Sequence, residues 1–185
     1  TRAVSTAEVQ VISISATPVR EKQKITLQNA NAGTFFLTLD LTGIGDEKYK
    51  SGDIQYNADS ATIETIINAM EGINKYGQAK VDRPFENGQP GDITIEFPVK
   101  AGNPPDFVAI SQLEPVTAGI SVSEVTTGNV IQGSYRLGLN DQWTEAVNIG
   151  DSASVVAQKL TALDTIGVVA VTVTTPDPQK GRNYT

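Results

Sequence analysis

The chain writes one strand-like phrase twice: "GTFFLTLD" at 33–40 returns as "GSYRLGLN" at 133–140, with small, bulky and polar positions in the same order. Such a recurrence constrains the fold strongly, because two copies of one local pattern must each bury the same kind of face. In the first copy Phe35, Leu37 and Leu39 share one face of a strand, and Phe36, Thr38 and Asp40 share the other. The second copy sets Tyr135, Leu137 and Leu139 against Arg136, Gly138 and Asn140. Further on, Ile63, Ile67, Met70 and Ile73 match Val156, Leu160, Leu163 and Ile166 at an offset of 93 residues, where Phe35 and Tyr135 differ by 100. The seven-residue difference falls in "LTGIGDEKYKSG" (41–52), which reads as a loop, where insertions are tolerated.

Around these marks the dominant pattern is period-two alternation rich in Ile, Val, Thr and Phe and cut by Gly, Pro, Asn and Asp, the signature of half-buried strands. It predicts strands at 8–15, 24–28, 53–57, 79–83, 92–97, 109–113, 120–127, 144–149 and 168–175. Two stretches read as amphipathic helix, 59–70 with Asp59 or Ser60 as cap and 152–163 with Ser152 as cap. The expected fold is mainly β: two tandem β-sandwich or Ig-like modules, each with one short helix. The expected division is an N-terminal strand segment at 1–30, a first module at 31–128 and a second at 129–185.

The copies are unequal at their ends. After Arg83-Pro84 the first copy continues through three predicted strands, whereas Thr175-Pro176 is followed only by "DPQKGRNYT", which aligns Tyr184 with Ile93. The second module is therefore expected to lack its C-terminal strands, and an open sheet edge over an apolar face demands cover. The first thirty residues hold a matching surplus. Two readings follow: a head-to-tail polymer in which 2–15 is donated to a neighbour, or a piece of a longer run of repeats whose next residues supply the strands. In the first, Val9, Val11, Ile12 and Ile14 belong to the donor, Val169, Val171 and Val173 to the acceptor edge at 168–175, and Tyr184 is a further assembly residue. A start at Thr1 without Met or signal peptide fits a processed chain or an excised fragment.

Composition narrows the chemistry. The absence of Cys and His removes thiolate nucleophiles, Cys/His zinc sites, the Ser-His-Asp arrangement and any histidine base. With 21 acidic against 14 basic residues the net charge is −7, which disfavours nucleic acid and anionic lipid as partners. No apolar run approaches the ~20 residues of a spanning helix, so membrane insertion is not expected. Glu21, Glu64, Glu71 and Asp164 show no pattern that pairs them as a glycosidase would. Asp40, Asp46, Glu47 and Asp53 gather near the long loop as a weak calcium candidate, but they lack the spacing of a calcium loop and Lys48 and Lys50 interrupt them. The glycines of "GIGDEKYKSG" precede no strand-loop-helix unit and make no phosphate cradle. No enzyme and no cofactor is expected. Tyr135 and Trp143 are expected to be buried in the second module's core or an interface, with sugar stacking as the alternative.

The ensemble "AEVQVISIS", "GTFFLTLD", "IQYNADSATIETIINAM", "IGVVAVTV", "PDPQKGRNYT" and "AGNPPDF" resembles a repeat found in tandem in large extracellular proteins of algae, oomycetes and other protists, and in some phage virion proteins. The resemblance covers most of the chain and implies a compact, mostly β structural unit of surface or filament proteins, with no catalytic residues. The chain departs from it in the 41–52 loop and in the Trp143 strand. On this basis the chain looks like a protomer of an extracellular glycoprotein fibril, with copies of itself as partners. Covalent glycans are expected at Asn183, the acceptor of the triplet Asn183-Tyr184-Thr185, and at exposed Ser and Thr. The alternative is an adhesive or carbohydrate-binding module of a larger cell-surface or virion protein.

Overall fold

The computed structural model describes residues 8–86, 89–177 and 179–185. In chain order it runs β1 (Ile12–Ile14), β2 (Lys22–Gln28), β3 (Ala32–Asp40), a 3-10 turn (Thr42–Ile44), β4 (Lys48–Lys50), β5 (Ile54–Gln55), α1 (Ser60–Asn68), α2 (Glu71–Asn74), β6 (Lys80–Asp82), β7 (Phe85–Glu86), β8 (Gln89–Pro90) and β9 (Ile93–Glu96). A second 3-10 turn (Val99–Ala101) leads to β10 (Val108–Glu114), β11 (Gly119–Thr126), β12 (Ser134–Tyr135), β13 (Gly138–Leu139), β14 (Gln142–Trp143), β15 (Val147–Asn148), α3 (Ala153–Thr161) and β16 (Arg182–Tyr184). The protein is mostly β, and its strands pair antiparallel. Two compact units result: a continuous one, Pro18–Asn129, and a discontinuous one in which Thr1–Thr17 joins Val130–Thr185. The stretch expected as one N-terminal segment, 1–30, is thus divided, with β2 in the continuous unit and β1 in the other.

The continuous unit holds two sheets of four strands, β11-β2-β9-β6 and β10-β3-β4 with β5 also on β3. Alternation sends Phe35, Leu37 and Leu39 of β3, Ile25 of β2, and Ile93 and Ile95 of β9 into one core. The helical period adds Ile63 and Ile67 of α1, whose N-terminus is capped by the Asp59 carboxylate accepting from Thr62 N. The stretch read as one helix over 59–70 ends at Asn68, and a separate turn, α2, carries Ile73 into the same core. The 41–52 loop is only partly a loop: its end forms β4, paired with β3.

The discontinuous unit is built on three two-stranded ladders. β12 pairs with β15, β13 with β14, and β1 with β16. Val147, Val156 and Tyr184 form its centre, with Ile12, Ile14, Tyr135, Leu137, Leu160, Val171 and Val173 packed around them. Ser152 Oγ caps α3 by accepting from Val155 N. The predicted strand at 168–175 forms no extended ladder. It has a single bridge, Val173 with Tyr184, flanked by bonds of Thr172 and Thr174 to Thr185 and Asn183, because only 183–185 lie alongside it.

Equivalent positions make equivalent bonds. Tyr56 N donates to Gly33 O (3.1 Å) and Ile149 N to Gly133 O (3.0 Å). Leu37 N donates to Ser51 Oγ (2.9 Å) while Ser51 N returns a bond to Leu37 O (2.8 Å). Leu137 and Thr144 make the same pair at 3.0 and 2.8 Å. Gly33 and Gly133 both adopt positive φ, 87° and 95°, which explains why each copy opens on glycine.

Candidate functional site: an open groove in the discontinuous unit

The two cores differ in what covers them. In the continuous unit β10 runs along β3 from Val108–Thr38 to Glu114–Ala32, and β11 runs along β2 from Gly119–Gln28 to Thr126–Lys22. These strands bring Leu113, Ile120 and Val122 onto the core. Among the described residues of the discontinuous unit, no strand lies on the corresponding outer edges of β12–β13 and β1. An apolar groove of about 600 Å³ opens in this unit, with Val9, Ile12, Leu137, Leu139, Leu160 and Val171 among its lining residues. Leu39 is 1% exposed, whereas Leu139 at the same place in the repeat is 40% exposed. Val9, at the groove, is 72% exposed.

The residues expected to carry assembly are brought into one unit, though not in the expected pairing. Ile12 and Ile14 pack on its core, and β1 lies beside β16 (Ile12 opposite Tyr184, Ser13 opposite Asn183) rather than along 168–175. Tyr184 is buried, and its hydroxyl donates to Asp151 O at 2.9 Å. Val171 and Val173 join the core, Val169 lines the groove, and Val11 is exposed. Burial, with the Tyr184 phenol beside it, pushes the Tyr135 hydroxyl up to about 12. Lys159 reaches Asp151 at 2.6 Å and holds its carboxyl below the usual range, helped by Asn148 N. Asn183 is exposed but sits within β16, not in a polar loop, its backbone engaged by Thr174 on one side and facing Ser13 of β1 on the other.

The remaining candidates separate. Asp40 accepts from Thr42 N and Oγ1 and pairs with Lys48, and hydrogen bonding to Thr42 lowers its pKa. Asp46 accepts from the Tyr49 hydroxyl and pairs with Lys75. Neither Glu47 nor Asp53 joins them in a group of metal-capable oxygens among the described residues. The one group whose oxygens lie within 4.8 Å of one another is Glu21, Asp106 and Glu124, scattered in sequence and invisible to spacing. Glu21 is buried, which raises its pKa, and it accepts from Gly128 N and Gln23 Nε2. Glu64 accepts from Val81 N and Asp164 from Gln142 Nε2, so both serve local structure.

Trp143 is 65% exposed and so does not lie in the core of its unit, one of the two places of burial expected of it. One face of its indole lies over Gly138, where an added Cβ would stand 2.9 Å from Cε3. The tryptophan sits on a short hairpin, β13–β14, directly opposite that glycine.

No family model matches the chain, and no curated protein is similar to it. Among solved structures, a chain from Mycobacterium phage Patience is similar at 14% identity with a TM-score of 0.32, covering 73% of this chain. The alignment spans 52%, about half, of that phage chain.

Proposed function

We propose that the protein is a structural subunit of an extracellular filament, non-enzymatic and glycosylated, which assembles head-to-tail by β-strand complementation. The observation that carries this reading is that the discontinuous unit takes in β1, a strand delivered from the far end of the sequence and tethered through 15–21 to the continuous unit. A strand of that kind is exchangeable: the same β1–β16 ladder forms whether β1 comes from its own chain or from the next. Exchange at each step builds an open, heterologous array. The groove beside β1 supplies an apolar face whose burial favours assembly without disulfides. We read the two units as copies of one sandwich-like module, supported by the repeated bonds at Gly33/Gly133 and Leu37/Leu137, and this agrees with the resemblance to tandem extracellular repeats.

Electron microscopy of the intact chain and of a variant lacking residues 1–15 tests the reading. Filaments are expected from the first and dispersed particles from the second. Unchanged filaments after the deletion would sink strand exchange by β1.

The exposed Trp143 favours a second reading, an adhesive or carbohydrate-binding module of a larger surface protein, since an indole with one free face stacks on sugar rings. Glycan-array binding by a monomer, abolished by Trp143→Ala, distinguishes it.

A further inference from the structure

We propose that the buried Glu21 carboxyl is a proton-operated latch in the continuous unit: protonated, it holds the segments 105–107 and 127–129 in place, and ionised, it loosens them. The inference concerns the continuous unit alone and is independent of how the protein assembles.

Glu21 immediately precedes β2 and continues its inward alternation with Gln23 and Ile25, which leaves it 1% exposed. From there it ties down chain that is distant in sequence. Its Oε2 accepts from Gly128 N at 2.6 Å and its Oε1 from Gln23 Nε2 at 3.2 Å. Gln23 carries the connection onward, its Oε1 accepting from Phe107 N at 2.9 Å and its Nε2 donating to Pro105 O at 3.3 Å. The Gly128 backbone is seated so closely that an added Cβ would stand 2.0 Å from Gly102 O. Beside it Val19 N donates to Asn129 Oδ1 at 2.7 Å. The held segment 127–129 is the last of the continuous unit before the chain passes at Val130 into the other.

What faces that carboxyl is more negative charge. Asp106, just before β10, and Glu124, in β11, each bring an oxygen into a group with Glu21 whose members lie within 4.8 Å of one another. Both are exposed, and Glu124 accepts from Thr127 Oγ1. Nearby cations are engaged elsewhere: Arg20 and Lys22 pair with Glu96 and Lys24 with Asp92, and among the described residues no lysine or arginine pairs with any of the three carboxylates. Ionised Glu21 is therefore a desolvated anion beside two others. A proton removes its charge and leaves the carbonyl oxygen free to accept from Gly128 N. Burial pushes the Glu21 carboxyl up from its ordinary range, the bonds from Gly128 and Gln23 work against this, and Glu124 and Asp106 add to it. A group whose folded pKa is raised contributes stability that is complete below its unfolded value and is lost as pH rises through the folded one. The latch is thus tight in mild acid and slackens towards neutrality.

The test follows the side-chain carboxyl carbon of Glu21 and the exchange of the Gly128 and Phe107 amides by nuclear magnetic resonance, in the full chain and in chelator-treated buffer, between about pH 5 and pH 7.5. Glu21 is expected to titrate above its ordinary value of 4.5. Protection of both amides, corrected for the intrinsic rise of exchange with pH, should fall by about threefold or more across that titration. Glu21→Gln keeps an acceptor for Gly128 N and cannot ionise, so its protection should stay flat over the same range. Glu124→Gln and Asp106→Asn should each lower the Glu21 midpoint. A Glu21 carboxyl that titrates at or below 4.5 in the unaltered chain overturns the latch, whether or not the variants fold. So does a fall in Gly128 protection that is as large in Glu21→Gln as in the unaltered chain.

Discussion

Ser51 and Thr144 show how a single hydroxyl fixes the path of each copy. Each is buried, and each accepts a backbone N–H that the strand would otherwise leave unpaired, from Leu37 and Leu137 respectively. Replacing either by a residue without the acceptor, Ser51→Ala or Thr144→Val, should cost about 1–3 kcal/mol in denaturant unfolding of its own unit. Tyr135 gives a pH signature. Its folded pKa, about 12, lies above the ordinary 10, so its contribution is complete below pH 10 and is lost as pH rises towards 12. Tyr135→Phe should therefore flatten the alkaline fall in stability of the discontinuous unit across that window, measured by near-ultraviolet circular dichroism. At this scale the helix caps were legible, since Asp59 and Ser152 stand where capping chemistry requires them. Trp143 was not, because alternation assigns a side chain to a face without telling whether anything covers that face.

Strands and helices were read well wherever a partner lies along their whole length. α1 and α3 carry apolar stripes that local spacing reveals, and β2, β3, β9, β10 and β11 alternate over runs long enough to see. The stretch 168–175 has the same alternation but little to pair with, and alternation alone cannot supply a neighbour. β4 shows the converse: "KYK" within a polar loop becomes a strand because β3 offers it an edge. The paired glycines turn this into a measurement. Gly33→Ala and Gly133→Ala share the cost of a positive φ, about 1–2 kcal/mol. Only the first also meets the backbone of β10, so it should lower the thermal midpoint of its unit clearly more than the second does.

At the scale of the molecule, the imbalance of strands was visible in the sequence as a surplus before the first copy and a deficit after the second. Where the surplus goes was not visible. The pairing of β1 with β16 joins positions some 170 residues apart, and such a contact leaves no local periodicity. The carboxylates of Glu21, Asp106 and Glu124 were missed for the same reason. The division of labour follows from the two units: a continuous one whose sheets are covered by its own β10 and β11, and a discontinuous one that depends on β1 and keeps an open groove. Their unequal completeness predicts unequal stability. Hydrogen exchange should protect the amides of β2, β3 and β9 in the unassembled chain far more than those of β12 to β15, and assembly should narrow the difference.

In the proposed filament β1 closes a neighbour's unit. The chain has no cysteine, so a Ser13→Cys, Asn183→Cys double variant places one oxidisable pair across the β1–β16 ladder, where the two residues stand opposite each other. After oxidation of assembled material, non-reducing electrophoresis should give a ladder of covalently joined chains. Filaments whose cross-linked chains all run as monomers would contradict the exchange.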